Sequence, residues 1–185
     1  IKLPSPEHDF ASLMASYQAF SQLDLSHFDL VISTKYPAWM VQHPNHVCYL
    51  QHRLRGLYDT YHFTSLSTAV PDTIARMPQL AGLLQLLGQP ASRSLLAPIF
   101  QAIAQLQADL PAATWQRVFA FPGPLARAVV HKLDQIGSQP GAVQRYLAIA
   151  ANITKREGYF PPGQPVQVVH HPPRDRIGSL VLEVW

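Results

Sequence analysis

Two short apolar runs, "FDLVIST" (28–34) and "HVCYLQH" (46–52), stand only eleven residues apart. Each is apolar through its middle, with β-branched residues, and the first ends in polar ones. That is the pattern of a strand buried in a sheet. The eleven residues between them, Lys35–Asn45, leave room for one turn of helix at "AWMVQ" and little else. This is close to the shortest crossover that carries a chain from one strand to a parallel neighbour. Parallel pairing in turn demands further strands and helices to cover them. "RYLAIA" (145–150) and "VQVVHHPP" (166–173) supply two more strand candidates, and a brief helix at "NITKREG", with Asn152 as its cap, fits between them. The NIT triplet is formally a glycosylation acceptor, but capping accounts for it.

The remaining segments carry a helical period. In "FASLMASYQAFSQL" (10–23), Phe10, Leu13, Met14, Tyr17 and Phe20 recur at helical spacing behind Asp9, a residue suited to the cap. Strand character then vanishes between about residues 54 and 137. "IARMPQLAGLLQLLG" (74–88), "SLLAPIFQAIAQLQADL" (94–110) and "GPLARAVVHKLDQIG" (123–137) repeat apolar residues three and four apart, punctuated by Pro78, Pro90, Pro98, Pro111 and Pro122. Pro124 suits a first helical turn and Gly137 a C-terminal cap. The expected fold is therefore α/β, a parallel sheet with residues 63–140 as a helical insertion. Residues 1–173 form one domain in this reading, and 174–185 are a tail, cut short.

Composition narrows the function classes. Of 185 residues, 48% are hydrophobic and only 14% charged, with a net charge of +3. A chain of this size buries most of its surface on folding. The small positive excess is not gathered into a basic, aromatic-interleaved patch, so nucleic acid is not an expected partner. Ten arginines against four lysines favour forked contacts to phosphate or carboxylate. Cys48 is the single cysteine and lies in an apolar run, which predicts a buried, inert thiol and no disulfide. No apolar run reaches the length of a membrane span.

In an open parallel sheet, ligands bind in the crevice outside the carboxyl ends of the strands. Three stretches fall there: Ser33-Thr34-Lys35, His52-Arg53-Leu54-Arg55 and His170-His171-Pro172-Pro173. Together they offer hydroxyls, an ammonium, two guanidinium groups and imidazole, a set suited to a hydroxylated, phosphorylated ligand such as a sugar phosphate or sugar nucleotide. Arg53 or Arg55 is placed to hold an anion, and His52 to hydrogen-bond a hydroxyl. Structural roles compete with each assignment. His52 can cap its strand and pair with Asp59, and Arg55 with Asp59 four residues on makes a local ion pair. His43 and His46 lie at the opposite end of their strand from His52, and no further ligands converge on them, so no metal is expected there. His170 and His171, as neighbours on a strand, point to opposite faces. No nucleophile elbow, phosphate loop or dinucleotide glycine fingerprint is present.

The segment "FDLVISTKYPAWMVQHPNHVCYLQHRLRGLYD" (28–59) resembles the middle of the N-terminal domain of the family-4 (group 1) glycosyltransferases. There, a strand ending Ser-Thr-Lys leads through Pro-Ala-Trp to HPNH, a second strand, and a His followed by Arg and Tyr-Asp. "RYLAIAANITKREGYFPPGQPVQVVHHPP" (145–173) resembles the end of the same domain. The resemblance spans residues 1–62 and 145–173. It implies a GT-B architecture, of which this chain is the partial, Rossmann-like N-terminal half. It also implies retaining transfer of a sugar from a nucleotide donor, with neither metal nor other cofactor. His52 matches the strand-end His that faces the transferred sugar; Thr34, Lys35, Arg53 and Arg55 would line the same cleft. The donor would bind through a second domain absent from this chain, and the acceptor would be a sugar or a lipid-linked sugar. A cytoplasmic location follows, with peripheral contact at the inner face of the membrane. The family's glycine-rich first loop and paired glutamates have no counterpart here, so the chain is expected to supply the acceptor side only. The rival expectation is a non-catalytic sugar- or partner-binding module of the same fold; a histidine-based metal hydrolase ranks below both.

Overall fold

The computed structural model describes Leu3, Pro6 and residues 8–170. Helix α1 (Phe10–Ser21) starts where Asp9 accepts both the backbone N–H and the hydroxyl of Ser12, each at 2.9 Å. Those bonds hold the Asp9 carboxyl below the usual range. The helix buries Phe10, Leu13, Met14, Tyr17 and Phe20, the stripe its spacing predicts. Strand β1 (Val31–Ser33) follows, then a single 3₁₀ turn at Ala38–Met40 in place of the expected helix at "AWMVQ", then β2 (His46–Leu50).

The β2-to-β3 connection is built of loops, 3₁₀ turns and α-helices, with no strand. It contains α2 (Asp72–Ala75), α3 (Ala81–Gly88), α4 (Leu96–Asp109), α5 (Ala112–Val118) and α6 (Pro124–Gly137). Pro78 divides what the sequence suggests is one helix over 74–88, because proline is accommodated at the first turn of a helix and not inside one. α5 buries Val118 and has no counterpart among the helices expected from the sequence. Strand β3 (Arg145–Ala148), α7 (Ala151–Thr154) and β4 (Val166–Val168) complete the described chain. Ala150, not Asn152, holds the cap position of α7, and Asn152 lies inside the helix. His171, Pro172 and Pro173, and the expected tail 174–185, lie outside the described residues.

The four strands lie side by side in chain order, β1-β2-β3-β4, and every pair is parallel. Val31 stands opposite His46, Cys48 opposite Tyr146, and Tyr146 opposite Val166. Right-handed crossovers that always step in one direction put their helices on one face of the sheet. The burial alternates accordingly. Ser33, His46, Cys48, Leu50, Tyr146 and Ala148 point into the core, whereas Ile32, Arg145 and Gln167 on the other face are exposed and Val47, Tyr49 and Leu147 only partly covered.

The helical connection supplies the core as much as the sheet does. Leu125, Ala126, Val129, Val130, Leu133 and Ile136 of α6 are fully buried. Gly137 closes that helix for a reason other than the expected one. Its C-cap is Ser138, and a Cβ at Gly137 would stand 2.7 Å from Met40 Sδ and 3.1 Å from Trp39 Cδ1. The glycine permits α6 to lie directly on the Ala38–Met40 turn.

Candidate functional site

Because β1 and β2 are parallel neighbours, Thr34-Lys35 and Gln51-His52 leave the sheet at the same end. Thr34 and Lys35 are exposed and His52 is half-buried. The His52 ring is fixed by its own backbone: Nδ1 lies 3.0 Å from the Arg53 carbonyl oxygen. A carbonyl only accepts, so Nδ1 carries the proton and Nε2 is left as an acceptor with no hydrogen bond among the described residues. The alternative pairing of His52 with Asp59 is not formed. The strand end therefore offers a hydroxyl, an ammonium and an oriented imidazole lone pair.

Arg53 is placed elsewhere. Only 3% exposed, it turns inward and meets Asp134 of α6, itself 2% exposed, with Nη1 to Oδ2 at 3.2 Å. Its Nε and Nη2 donate to the Tyr159 carbonyl at 3.0 and 2.9 Å, and Nη2 donates to Ser138 Oγ at 3.0 Å. The guanidinium also sits 4.7 Å above the Trp39 ring. Asp134 accepts three more bonds: from Tyr17 Oη at 2.8 Å, Trp39 Nε1 at 2.9 Å and Tyr58 Oη at 2.6 Å. Burial, with the Asp134 carboxylate alongside, raises both phenol pKa values well above the ordinary range, so Tyr17 and Tyr58 stay protonated donors. One carboxylate and one guanidinium thus tie α1, the Trp39 turn, the end of β2, α6 and the Tyr159 loop together. From its place after a strand Arg53 is expected to contact a ligand; the structure makes it a core residue paired with Asp134, which the sequence expectations leave out. The signal for Asp134 was available: it falls eight residues after Ala126 and four after Val130, inside the apolar stripe of α6.

Arg55 is exposed and makes the local pair with Asp59, Nε to Oδ2 at 3.2 Å. Asp59 is a second hub, since Arg156 Nη1 reaches its Oδ2 at 2.6 Å and Tyr159 Oη donates to Oδ1 at 2.9 Å. These donors and charges hold the Asp59 carboxyl low against its partial burial. Of the five predicted site residues, the structure gathers Thr34, Lys35 and His52 at one sheet end, commits Arg53 to the core, and occupies Arg55 with a neighbouring carboxylate.

The other histidines of the motif are structural. His43 donates from Nε2 to the Phe28 carbonyl at 2.8 Å and accepts the Asn45 N–H at Nδ1, 3.0 Å, which folds the Pro44-Asn45 turn onto the start of β1. His46 is fully buried with Nε2 2.8 Å from Ser33 Oγ, and burial lowers its pKa to about 4. Cys48 beside it is 2% exposed with its thiol pushed up to about 11 by burial. Among the described residues no group of three or more His, Cys, Asp or Glu is arranged to hold a metal ion. Nor is any described helix long and apolar enough to cross a membrane.

A cleft of about 520 Å³ opens on the helical side, between α6 and the Gly158–Pro162 loop. Tyr58 and His131, stacked with ring centroids 3.9 Å apart, line it with Gln135, Ser138 and Phe160. His131 Nε2 bonds the Leu57 carbonyl at 2.9 Å, and burial lowers the pKa of that ring. No family model matches the chain, and no curated protein or solved structure matches it either.

Proposed function

We propose that this chain is the acceptor-side part of a retaining, GT-B-type glycosyltransferase, a partial Rossmann-like half that presents His52 and Thr34 to a sugar. The observation that carries the reading is the delivery of Thr34-Lys35 and His52 to one end of adjacent parallel strands, with the His52 ring held through Nδ1 and no hydrogen bond to Nε2 among the described residues. A ring held in one orientation loses little freedom when it accepts a sugar hydroxyl. In this reading Arg53 is a positioning residue: it anchors the backbone that follows His52 through Tyr159 and Asp134 and does not touch the ligand. The donor nucleotide sugar is met by a second domain, and the acceptor is a sugar or a lipid-linked sugar. The work is cytoplasmic, with peripheral contact at the inner membrane face where the acceptor is lipid-linked.

A second reading has its own support. Arg53 and Arg55 are both paired with carboxylates of this chain, which leaves Lys35, among the described residues, as the cation at the strand end. A non-catalytic module that binds a neutral sugar needs no more than that. Amide chemical-shift titration tests the site, and a transfer assay separates the two. A neutral oligosaccharide should give saturable shifts at Thr34, Gln51 and His52, and His52→Ala should weaken its binding at least tenfold with an unchanged thermal melt. For the transferase part, a form that also carries a donor-binding domain should transfer sugar to that oligosaccharide and lose the activity with His52→Ala; binding with no transfer supports the module. Shifts confined to the α6 cleft, or insensitive to His52→Ala, overturn the assignment of the site.

A further inference from the structure

The loops that precede β2 and β3 meet at the amino-terminal end of the sheet, opposite to His52, around a cavity of about 420 Å³. Gln42 and His43 come from the first loop, Gly141 and Ala142 from the second. Arg93 closes the third side from a 3₁₀ turn (Arg93–Leu95) that runs into α4. All the lining residues fall between Val41 and Ala142, and none of them is Asp or Glu.

The partly or fully buried guanidinium groups elsewhere have partners. Arg53 is paired with Asp134 and Arg156 with Asp59, and Arg127 lies over the Tyr61 ring. Arg93, also partly buried, has neither a carboxylate nor an aromatic ring among the described residues. Its Nη2 donates to the Met40 carbonyl at 2.9 Å, while Nη1 is buried with no hydrogen bond. Burial draws its pKa down with no nearby carboxylate to oppose it. A charged donor left unmatched in this way costs free energy that an arriving acceptor recovers. The other walls add donors. Gly141, at φ +85°, sits in a turn closed by the Ala142 N–H on the Gln139 carbonyl at 3.0 Å, and its own N–H has no hydrogen bond among the described residues. Gln42 is exposed and its amide is free to turn inward. His43 brings no charge to the anion, because both its ring nitrogens are engaged with Phe28 and Asn45.

We propose that this cavity binds a phosphate group, held by the Arg93 guanidinium, the Gly141 N–H and the Gln42 side-chain amide. A guanidinium in a site with no carboxylate selects an anion, and phosphate and carboxylate are the anions its fork fits. The three donors stand on three different walls. A tetrahedral anion turns an oxygen to each of them, whereas a carboxylate has two oxygens in one plane. The cavity also has room beside the phosphate for the rest of a small ester. The site is separate from the one at His52, which lies at the other end of β2.

Amide chemical shifts of the whole chain test this as inorganic phosphate replaces chloride at constant ionic strength. Saturable shifts should centre on Gln42, Gly141 and Ala142 with a Kd of about 1 mM or tighter, and Thr34 and His52 should not move. Acetate should leave all of these amides where they are. Arg93→Gln should weaken phosphate binding at least tenfold, and Arg93→Lys, which keeps the charge without the fork, should weaken it less. Arg93→Gln also gives up the Met40 contact, so Gln42→Glu is the second variant: Gln42 is exposed, a native circular-dichroism spectrum is expected, and the new carboxylate should weaken binding at least tenfold. Glucose 6-phosphate in a parallel titration identifies the source. Tighter binding than inorganic phosphate marks a phosphate ester, equal or weaker binding marks the free ion, and both uphold the site. The absence of saturable shifts up to about 10 mM phosphate overturns the proposal. So do shifts that acetate reproduces, shifts at Thr34 and His52 instead, or shifts indifferent to both Arg93→Gln and Gln42→Glu. The neutral-oligosaccharide shifts at His52 stand or fall separately.

Discussion

Substitution of Asp134 by Ala is the most searching perturbation of this fold. The change leaves the Arg53 guanidinium buried with no counter-charge and takes an acceptor from Tyr17, Trp39 and Tyr58 at once. Breaking a buried ion pair from one side costs about 3–5 kcal/mol, because the remaining charge has no water to turn to. Each stranded neutral donor adds about 1–3 kcal/mol if it stays dry. Arg53 and Tyr58 border the cleft beside α6, where water relieves part of the penalty, whereas Tyr17 is fully buried. A net loss of about 4–6 kcal/mol follows, a large share of the roughly 5–15 kcal/mol that holds a typical domain together. In a chain of this size a loss of about 4 kcal/mol lowers Tm by about 8–16 °C. Urea unfolding followed by tryptophan fluorescence measures it directly, with Trp39 inside the perturbed network. Arg53→Met alone should cost less, since Asp134 keeps three donors. The double variant should lose about 2–3 kcal/mol less than the sum of the singles, as groups in one network do. A single-variant loss below about 1 kcal/mol, or additivity, would refute the claim that this pair binds five segments together.

The pH dependence of stability follows from His46, whose pKa falls from 6.5 to about 4 through burial. Between those values the unfolded chain binds the extra proton, so stability should rise with pH across that window and drop by about 3 kcal/mol as pH falls through it. Denaturation midpoints read from pH 7 down to pH 4 should show this slope, with a same-direction contribution from His131, and His46→Gln should flatten it. Gly137→Ala should destabilise by about 1–3 kcal/mol despite the better helix propensity of alanine, because the new methyl meets Met40 and Trp39. A thermal melt unchanged or raised by that substitution would mean that α6 does not lie against the Trp39 turn as closely as described.

The parallel sheet was legible because its first two strands are short and apolar and their connection is just long enough for a crossover. The strand ends were less so. "FDLVIST" is seven residues of strand-like sequence, yet only Val31–Ser33 pair, since periodicity records side-chain character and not whether a neighbour is present to bond. Phe28 and Leu30 look like core in the sequence and are exposed in the fold for the same reason. The helices of the β2–β3 connection were visible as apolar stripes, but their role was not. A stripe reports that a face is buried and not what it is buried against, so α6 could not be distinguished from a peripheral excursion until Asp134 was seen to meet Arg53.

Adjacent residues at the end of β2 divide the work between them. His52 and Arg53 both carry polar heads, and composition treats them alike as ligands in waiting. Just past the end of β2 their burial parts: His52 is half-buried, while Arg53 enters the helical side and reaches Tyr159 and Asp134. The inward residue then fixes its neighbour, because the carbonyl that holds His52 Nδ1 belongs to Arg53 itself. A loosened Arg53 would therefore free the His52 ring to turn, so Arg53→Met should broaden the His52 imidazole resonances and weaken sugar binding even where the variant remains folded. The same substitution should leave the salt dependence of binding unchanged, because no charge facing the ligand is lost with the guanidinium.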